Sequence, residues 1–275
     1  MARCAVTTWA LRGITGLSAA ALLAVALAAS PAVGAELSLR QIVETLYKAA
    51  PASRPDFAGK DLSSLDLSGL DFKHAILSRA NLLGADLSDA NLSFADLAGA
   101  KLDRARLERT NFADANLAGA SLYHAVGSLS IETSAENAPN FERANLSGAR
   151  IMARLSRANL RGANLSGADL GPPEPGNELK TPQQTDLSGA LLTGADLRRT
   201  RMPRVNLVFA DLSGADLEDA DLSGADLSRA VLTGANLAGA NLADADLDGA
   251  VLTRVRGMES VREWDKARNR EKAVF

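Results

Sequence analysis

The sequence predicts an all-β solenoid, and three observations predict it. From Lys60 the chain repeats every five residues, as KDLSS, LDLSG, LDFKH, AILSR, ANLLG and ADLSD. The third place of nearly every unit is Leu, and the first is most often Ala. The composition agrees: 47% of the 275 residues are apolar but only 4% are aromatic, so alanine and leucine supply the hydrophobic surface. A period of five fits neither a helix, at 3.6 residues per turn, nor a strand, at 2. It requires a chain that returns one small and one large apolar residue inward in each unit. The remaining places carry Asp or Asn, then Ser, Thr, Ala or Arg, then often Gly, which are the residues that bend a backbone or bond to it locally. Each unit is therefore a short extended piece followed by a corner. The repeats form three blocks, residues 60–124, 139–170 and 185–254.

Composition excludes several classes. The balance of 30 Lys+Arg against 33 Asp+Glu gives a net charge of −3, too mild for a domain that binds nucleic acid by neutralising phosphates. A single cysteine, Cys4, excludes an internal disulfide and a multi-cysteine metal site. With 22 glycines the chain is far from the one-in-three of collagen. The excess of arginine over lysine hints at a GC-rich bacterial genome.

The N-terminus reads as an export signal. Arg3 and Arg12 precede an apolar stretch from Ile14 to Ala29, followed by Pro31, Ala32 and the small residues Val33, Gly34 and Ala35. That order is the pattern of a secretory signal peptide over residues 1–35, with cleavage after Ala35 leaving Glu36 first. The apolar stretch falls short of the roughly 20 residues that span a bilayer. An uncleaved N-terminal anchor is the alternative; with cleavage no membrane span is expected. Removing Arg3 and Arg12 takes the net charge from −3 to −5 and leaves no thiol. The expected location is the periplasm or the medium.

The units ADLSG, ANLAG and ADLED follow the consensus A-(D/N)-L-x-x, and in this the chain resembles the pentapeptide-repeat family over residues 60–254. The resemblance implies a right-handed quadrilateral β-helix in which four units make one square coil, with Ala and Leu filling the interior. On that basis the repeats make about eight coils. Residues 20 apart should then stack. Arg106 lies 20 after Asp86 and Arg109 lies 20 after Asp89; Glu218, Asp219 and Asp221 lie 20 after Arg198, Arg199 and Arg201. These five opposite-charge pairs outnumber the acidic like-charge pairs Asp66/Asp86, Asp196/Asp216 and Asp226/Asp246.

A rod of this kind needs its ends covered, because exposed strand edges pair with other chains. Ser38 and Gln41 form a capping-box pattern, and Leu39, Ile42, Val43, Leu46, Tyr47 and Ala50 fall on one helical face before Pro51. Residues 36–59 are thus expected to hold a capping helix over 38–50 and a linker, with Phe57 packing nearby. Residues 255–275 are expected to form a C-terminal helix, since Met258, Val261, Trp264 and Ala267 recur every three residues. It would cap the last coil or pair with a second copy in a homodimer. Residues 125–138 and 171–184 interrupt the repeat, each over about one coil, as tolerated insertions or binding loops. Arg154–Arg157 is a four-residue unit where five are expected, read as a tolerated bulge.

No catalytic set emerges. His74 and His124 lie 50 residues apart and should face opposite sides. The glycine pairs Gly162–Gly167, Gly189–Gly194 and Gly234–Gly239 have phosphate-loop spacing, but each is followed by Ala where a lysine is needed. No cofactor or metal is expected, and no enzyme. Candidate partner-binding residues are the arginines of the middle block, Arg150, Arg154, Arg157 and Arg161, which with Arg143 give that block a net +3, and the aromatic residues Phe94 and Phe209 in outward places. The expected function is that of an exported, non-catalytic scaffold binding another protein or an anionic envelope component, not nucleic acid. Two alternatives stand beside it. One is the DNA-mimicking gyrase inhibition or protection known in the family; the other is an enzyme with an unrecognised site.

Overall fold

The computed structural model describes residues 37–50, 53–127, 135–172 and 184–275. The signal segment, Ala35 and Glu36 lie outside the described residues. The chain winds as a four-sided parallel β-solenoid. Among the described residues, thirty-six isolated parallel bridges join successive coils, nine on each face, so ten rungs stack on every side. The faces begin at Asp56, Asp61, Asp66 and Asp71, and the first step on each is 20 residues. Nine steps of about 4.8 Å make a rod roughly 45 Å long.

The regular five-residue units are closed by the same backbone bonds. Leu67 N–H donates to Asp86 O at 2.8 Å, and Asp86 N–H donates to Leu65 O at 2.9 Å. At the corner, Ala85 N–H donates to Leu82 O at 3.0 Å, with Gly84 at φ +65°. A positive φ at the third turn residue is the need of a type II turn and explains the recurrent glycine. The Asp or Asn on each rung bonds back to its own corner: Ser88 N–H donates to Asp86 Oδ1 at 3.0 Å, and Ser223 N–H to Asp221 Oδ1 at 3.1 Å. Asn also donates down the rod, as Asn91 to Asp71 at 2.9 Å, Asn111 to Asn91 at 3.2 Å and Asn159 to Asn140 at 2.8 Å. The polar place is a structural ladder.

Ala and Leu fill the axis as one continuous core. Where Thr110, Thr185 and Thr200 replace the inward Ala, each buried hydroxyl donates to a carbonyl: Thr110 to Leu87, Thr185 to one of Leu170 and Ile151, at 2.7 and 2.8 Å, and Thr200 to Leu197. The donation removes the cost of burying an unpaired hydroxyl.

Both interruptions sit inside coils. On the fourth face Asn111 bridges Asn140, 29 residues on, and Phe112 stacks on Phe141 with centroids 4.8 Å apart. On the third face Arg154 bridges Asp186, 32 residues on. The ladder runs unbroken past each excursion. The short unit lies one unit earlier than the repeat suggests. Arg150 and Arg154 occupy neighbouring rungs, so Ala153 begins the unit that Arg154 was expected to begin.

The ends differ from the expectations. At the N-terminus α1 (Leu39–Lys48) has its capping box: Gln41 N–H donates to Ser38 Oγ and Ser38 N–H to Gln41 Oε1. Ile42 and Val43 are buried in the common core, but Tyr47, expected on the same face, is exposed. Phe57 is no linker residue; it takes the inward place of a unit that begins the ladder at Asp56, against Phe72 at 5.7 Å.

Residues 255–275 do not form the expected helix. They build a tenth coil from six-residue units, with rungs at Arg256, Arg262, Arg268 and Val274. The residue after each arginine, Gly257, Glu263 or Asn269, turns left-handed and starts a short 3-10 turn. The apparent period of three was a period of six shared by two roles. Val255, Val261, Ala267 and Ala273 point at the core, while Met258 and Trp264 cover the end of the rod. Trp264 meets Phe275 edge-on at 6.2 Å. The extra units, at the two ends and beside the excursions, account for ten coils where about eight were expected.

Candidate binding surface

The corners fix which surface residues meet. Of the five pairs expected at a spacing of 20, Arg106–Asp86 closes at 3.1 Å and Arg109–Asp89 at 2.6 Å. Arg198 instead bonds Asp196 in its own coil at 2.6 Å, and Arg201 reaches Asp169 below at 2.9 Å. A side chain on a rung chooses between its own corner and two neighbouring coils, which a spacing rule alone does not resolve. Exposed pairs of this kind contribute about 0–1 kcal/mol each.

The four candidate arginines belong to one coil, the fifth, but not to one patch. Arg150 stands on the second face and Arg154 on the third; Arg157 and Arg161 occupy later corners. They form a belt around the rod, and all four are exposed. Arg150, Arg154 and Arg157 form no ion pair with any described residue, and Arg161 acts on Asp211 only at longer range. Arg143, in the coil before, is taken up by Asp114 at 2.7 Å.

Phe94 and Phe209 are 47% and 58% exposed, on different corners and far apart along the rod. Phe94 stacks on His74 at 5.1 Å, with Lys73 Nζ 5.7 Å from its ring. Phe209 lies beneath the Arg229 guanidinium at 5.5 Å. They do not join the belt. His74 and His124 occupy opposite corners of the square.

Sequence reasoning missed a recess. At the corner between the second and third faces, a cleft of about 440 Å³ is lined by His124, Ala125, Val126, Met152, Ala153, Arg154 and Gln184. It lies at the shortened unit, flanked by Arg150 on its rung. The missing residue was the signal, since a corner one residue short cannot project the turn that fills every regular corner.

A parallel solenoid with a fixed interior and a variable outer surface defines the protein as a repeat scaffold. The family model for pentapeptide repeats matches residues 56–93, 90–126, 140–171, 183–219 and 215–254, in 8 copies. The chain belongs to the pentapeptide-repeat family. Among solved structures it is similar to HetL, a pentapeptide repeat protein involved in heterocyst differentiation regulation in the cyanobacterium Nostoc sp. strain PCC 7120. The identity is 33% over 74% of this chain and 90% of that one, with a TM-score of 0.39. It is also similar to QnrB1, a plasmid-mediated fluoroquinolone resistance protein, at 20% identity over 80% of this chain and 97% of that one, TM-score 0.35. A pentapeptide repeat protein of the Arabidopsis thaliana thylakoid lumen shares 30% identity over 44% of this chain and 76% of its own, TM-score 0.24. No curated protein matches the chain.

Proposed function

We propose that the protein is an exported, non-catalytic scaffold that engages an acidic protein or an anionic envelope component through the arginine belt of its fifth coil. One observation carries the reading. Arg150, Arg154 and Arg157 put three exposed arginines without an ion pair among the described residues on one coil, against two on the seventh, Arg199 and Arg204, and two on the tenth, Arg256 and Arg262. Three exposed cations left unpaired on one coil favour an anionic partner, because complementary charge steers association. The middle block, net +3, separates the two flanking repeat blocks, in which acidic residues outnumber basic ones, and this argues against a continuous DNA-like surface. Export rests on the order of charge, apolar stretch and small residues before Glu36.

Cell fractionation with N-terminal sequencing of the natively expressed protein tests the export. A chain beginning at Glu36 outside the cytosol is expected; an intact Met1 start in the cytosol would overturn it and revive the gyrase alternative. Charge reversal of Arg150, Arg154 and Arg157 together is expected to abolish capture of the partner with the circular-dichroism spectrum unchanged.

A further inference from the structure

The cleft at the shortened corner has a feature beyond its volume. In a regular unit the N–H after the inward Leu donates to the rung Asp or Asn, and the N–H of the next Ala closes the turn. In the shortened unit of the fifth coil neither bond forms. The rung residue is Arg150, which has no oxygen to offer, and the corner is too short to close on Ile151. The Ile151 carbonyl faces the Thr185 hydroxyl at 2.8 Å, which also lies 2.7 Å from the Leu170 carbonyl. The N–H groups of Met152 and Ala153 are left with no acceptor among the described residues, although these residues are only 5% and 3% exposed. Buried backbone donors are almost always paired, so two neighbouring unpaired ones call for an acceptor.

Both residues line the cleft, together with the unpaired Arg154 and with His124 and Gln184, while Ala125, Val126 and the Met152 side chain make an apolar wall. The Met152 and Ala153 N–H groups and the Arg154 guanidinium can only donate, while His124 and Gln184 each bring a donor as well as an acceptor. We propose that this cleft is a binding site for a carboxylate carrying a short apolar chain: the oxygens accept from the orphaned N–H groups and Arg154, and the chain lies on Val126 and Met152. A volume near 440 Å³ is in the range of small-ligand sites. The same chemistry is offered by a free aliphatic acid and by the carboxy end of a peptide. The inference goes beyond the proposed scaffold role and is independent of export.

The protein has two histidines, so each imidazole gives its own resonances, and His74 on the opposite corner is an internal reference. Sodium hexanoate and a tripeptide with a free C-terminal leucine are titrated separately, with hexanamide as the neutral control. His124 and the Met152 and Ala153 amides are expected to shift and saturate while His74 stays fixed. Hexanamide is expected to bind at least tenfold more weakly. Response to hexanoate alone identifies a free-acid site, and response to the peptide alone a chain-terminus site. Arg154→Gln, at an exposed position, should weaken binding at least tenfold. Insertion of one glycine between Met152 and Ala153, restoring a five-residue corner, should abolish it in a protein whose His74 and core signals are unchanged. No saturable shift with either acid, equal binding of hexanamide, or unaltered affinity in Arg154→Gln would overturn the proposal.

Discussion

Arg143 grips both carboxylate oxygens of Asp114 across 29 residues of chain, with Nε to Oδ1 at 2.8 Å and Nη2 to Oδ2 at 2.7 Å. Arg109 holds Asp89 in the same forked way at a spacing of 20. The excursion between Gly127 and Asn140 therefore returns the chain to the position it would have reached without it. What stacks is the coil, whatever the number of residues spent outside it.

That grip sets a pH dependence. The hydrogen bonds from Arg143 hold the Asp114 carboxyl below its ordinary value of 3.8, and those from Arg198 do the same for Asp196. The folded carboxyls bind protons more weakly than the unfolded ones. Their contribution is thus fully present above about pH 4 and is lost as the pH falls through the lowered folded value. The melting temperature is expected to be flat between pH 7 and 5 and to drop below pH 4. In an Asp114→Asn, Asp196→Asn variant it should be lower at pH 7 by at most about 3 °C, and the acid drop shallower. An acid limb identical to that of the parent would remove these two carboxylates from its cause.

Leu217→Ala deletes a fully buried inward side chain in the eighth coil. The expected cost is about 2–5 kcal/mol, as for other large-to-small core changes. Because each coil touches only its neighbours, amide exchange should accelerate in coils seven to nine and stay unchanged in coils one to three. Uniform acceleration along the rod would show that the solenoid opens as one cooperative unit.

Gly257 is required where it stands. Its φ is +77°, and an added Cβ would lie 2.6 Å from the Ala238 Cα beneath it. Gly257→Ala should cost about 1–3 kcal/mol and lift the tenth coil off the ninth. In a chain beginning at Glu36, Trp264 is the one tryptophan, so acrylamide quenching reads the event directly. Quenching should rise in the variant while the Asp56–Val231 ladder retains its exchange protection.

Phe209 occupies a left-handed corner at φ +61°, where a residue with a Cβ is strained by about 1–2 kcal/mol. Phe209→Gly relieves that strain; against it, losing the contact under Arg229 and adding freedom to the unfolded chain cost about 0.5–1 kcal/mol each. The variant is expected to melt within about 3 °C of the parent. Loss of partner binding without loss of stability would mark Phe209 as a contact; a large fall in melting temperature would mark it as structural.

The interior was legible from residue order alone. A small and a large apolar residue recurring every five places can be buried only by a turning chain, and Asp or Asn between them finds the corner N–H wherever such a corner exists. Ser38 and Gln41 likewise announce the start of α1, because a capping box is made within four residues. The C-terminal end was misread for a related reason. Val261, Trp264 and Ala267 at intervals of three satisfy a helix as well as they satisfy a six-residue coil, and local spacing does not distinguish the two. The deciding contacts are made elsewhere, as Leu242 N–H donates to Arg262 O and Leu247 N–H to Arg268 O.

The cleft shows the same division from the functional side. Arg150, Arg154 and the short unit between them are visible in the sequence, and a basic segment is as much as they disclose. That the Met152 and Ala153 N–H groups stand without acceptors depends on the corner length that seats Arg150 and Arg154 on neighbouring rungs and brings His124 and Gln184 beside them. By itself the sequence determined the repeat, its inward and outward places and the ladder of Asp and Asn, because those follow from side-chain periodicity. Only the tertiary structure decided where the excursions rejoin, how the last coil closes and where donors stand unpaired. Each of those is settled by backbone groups from different coils, and their meeting depends on register and corner length rather than on the identity of any one residue.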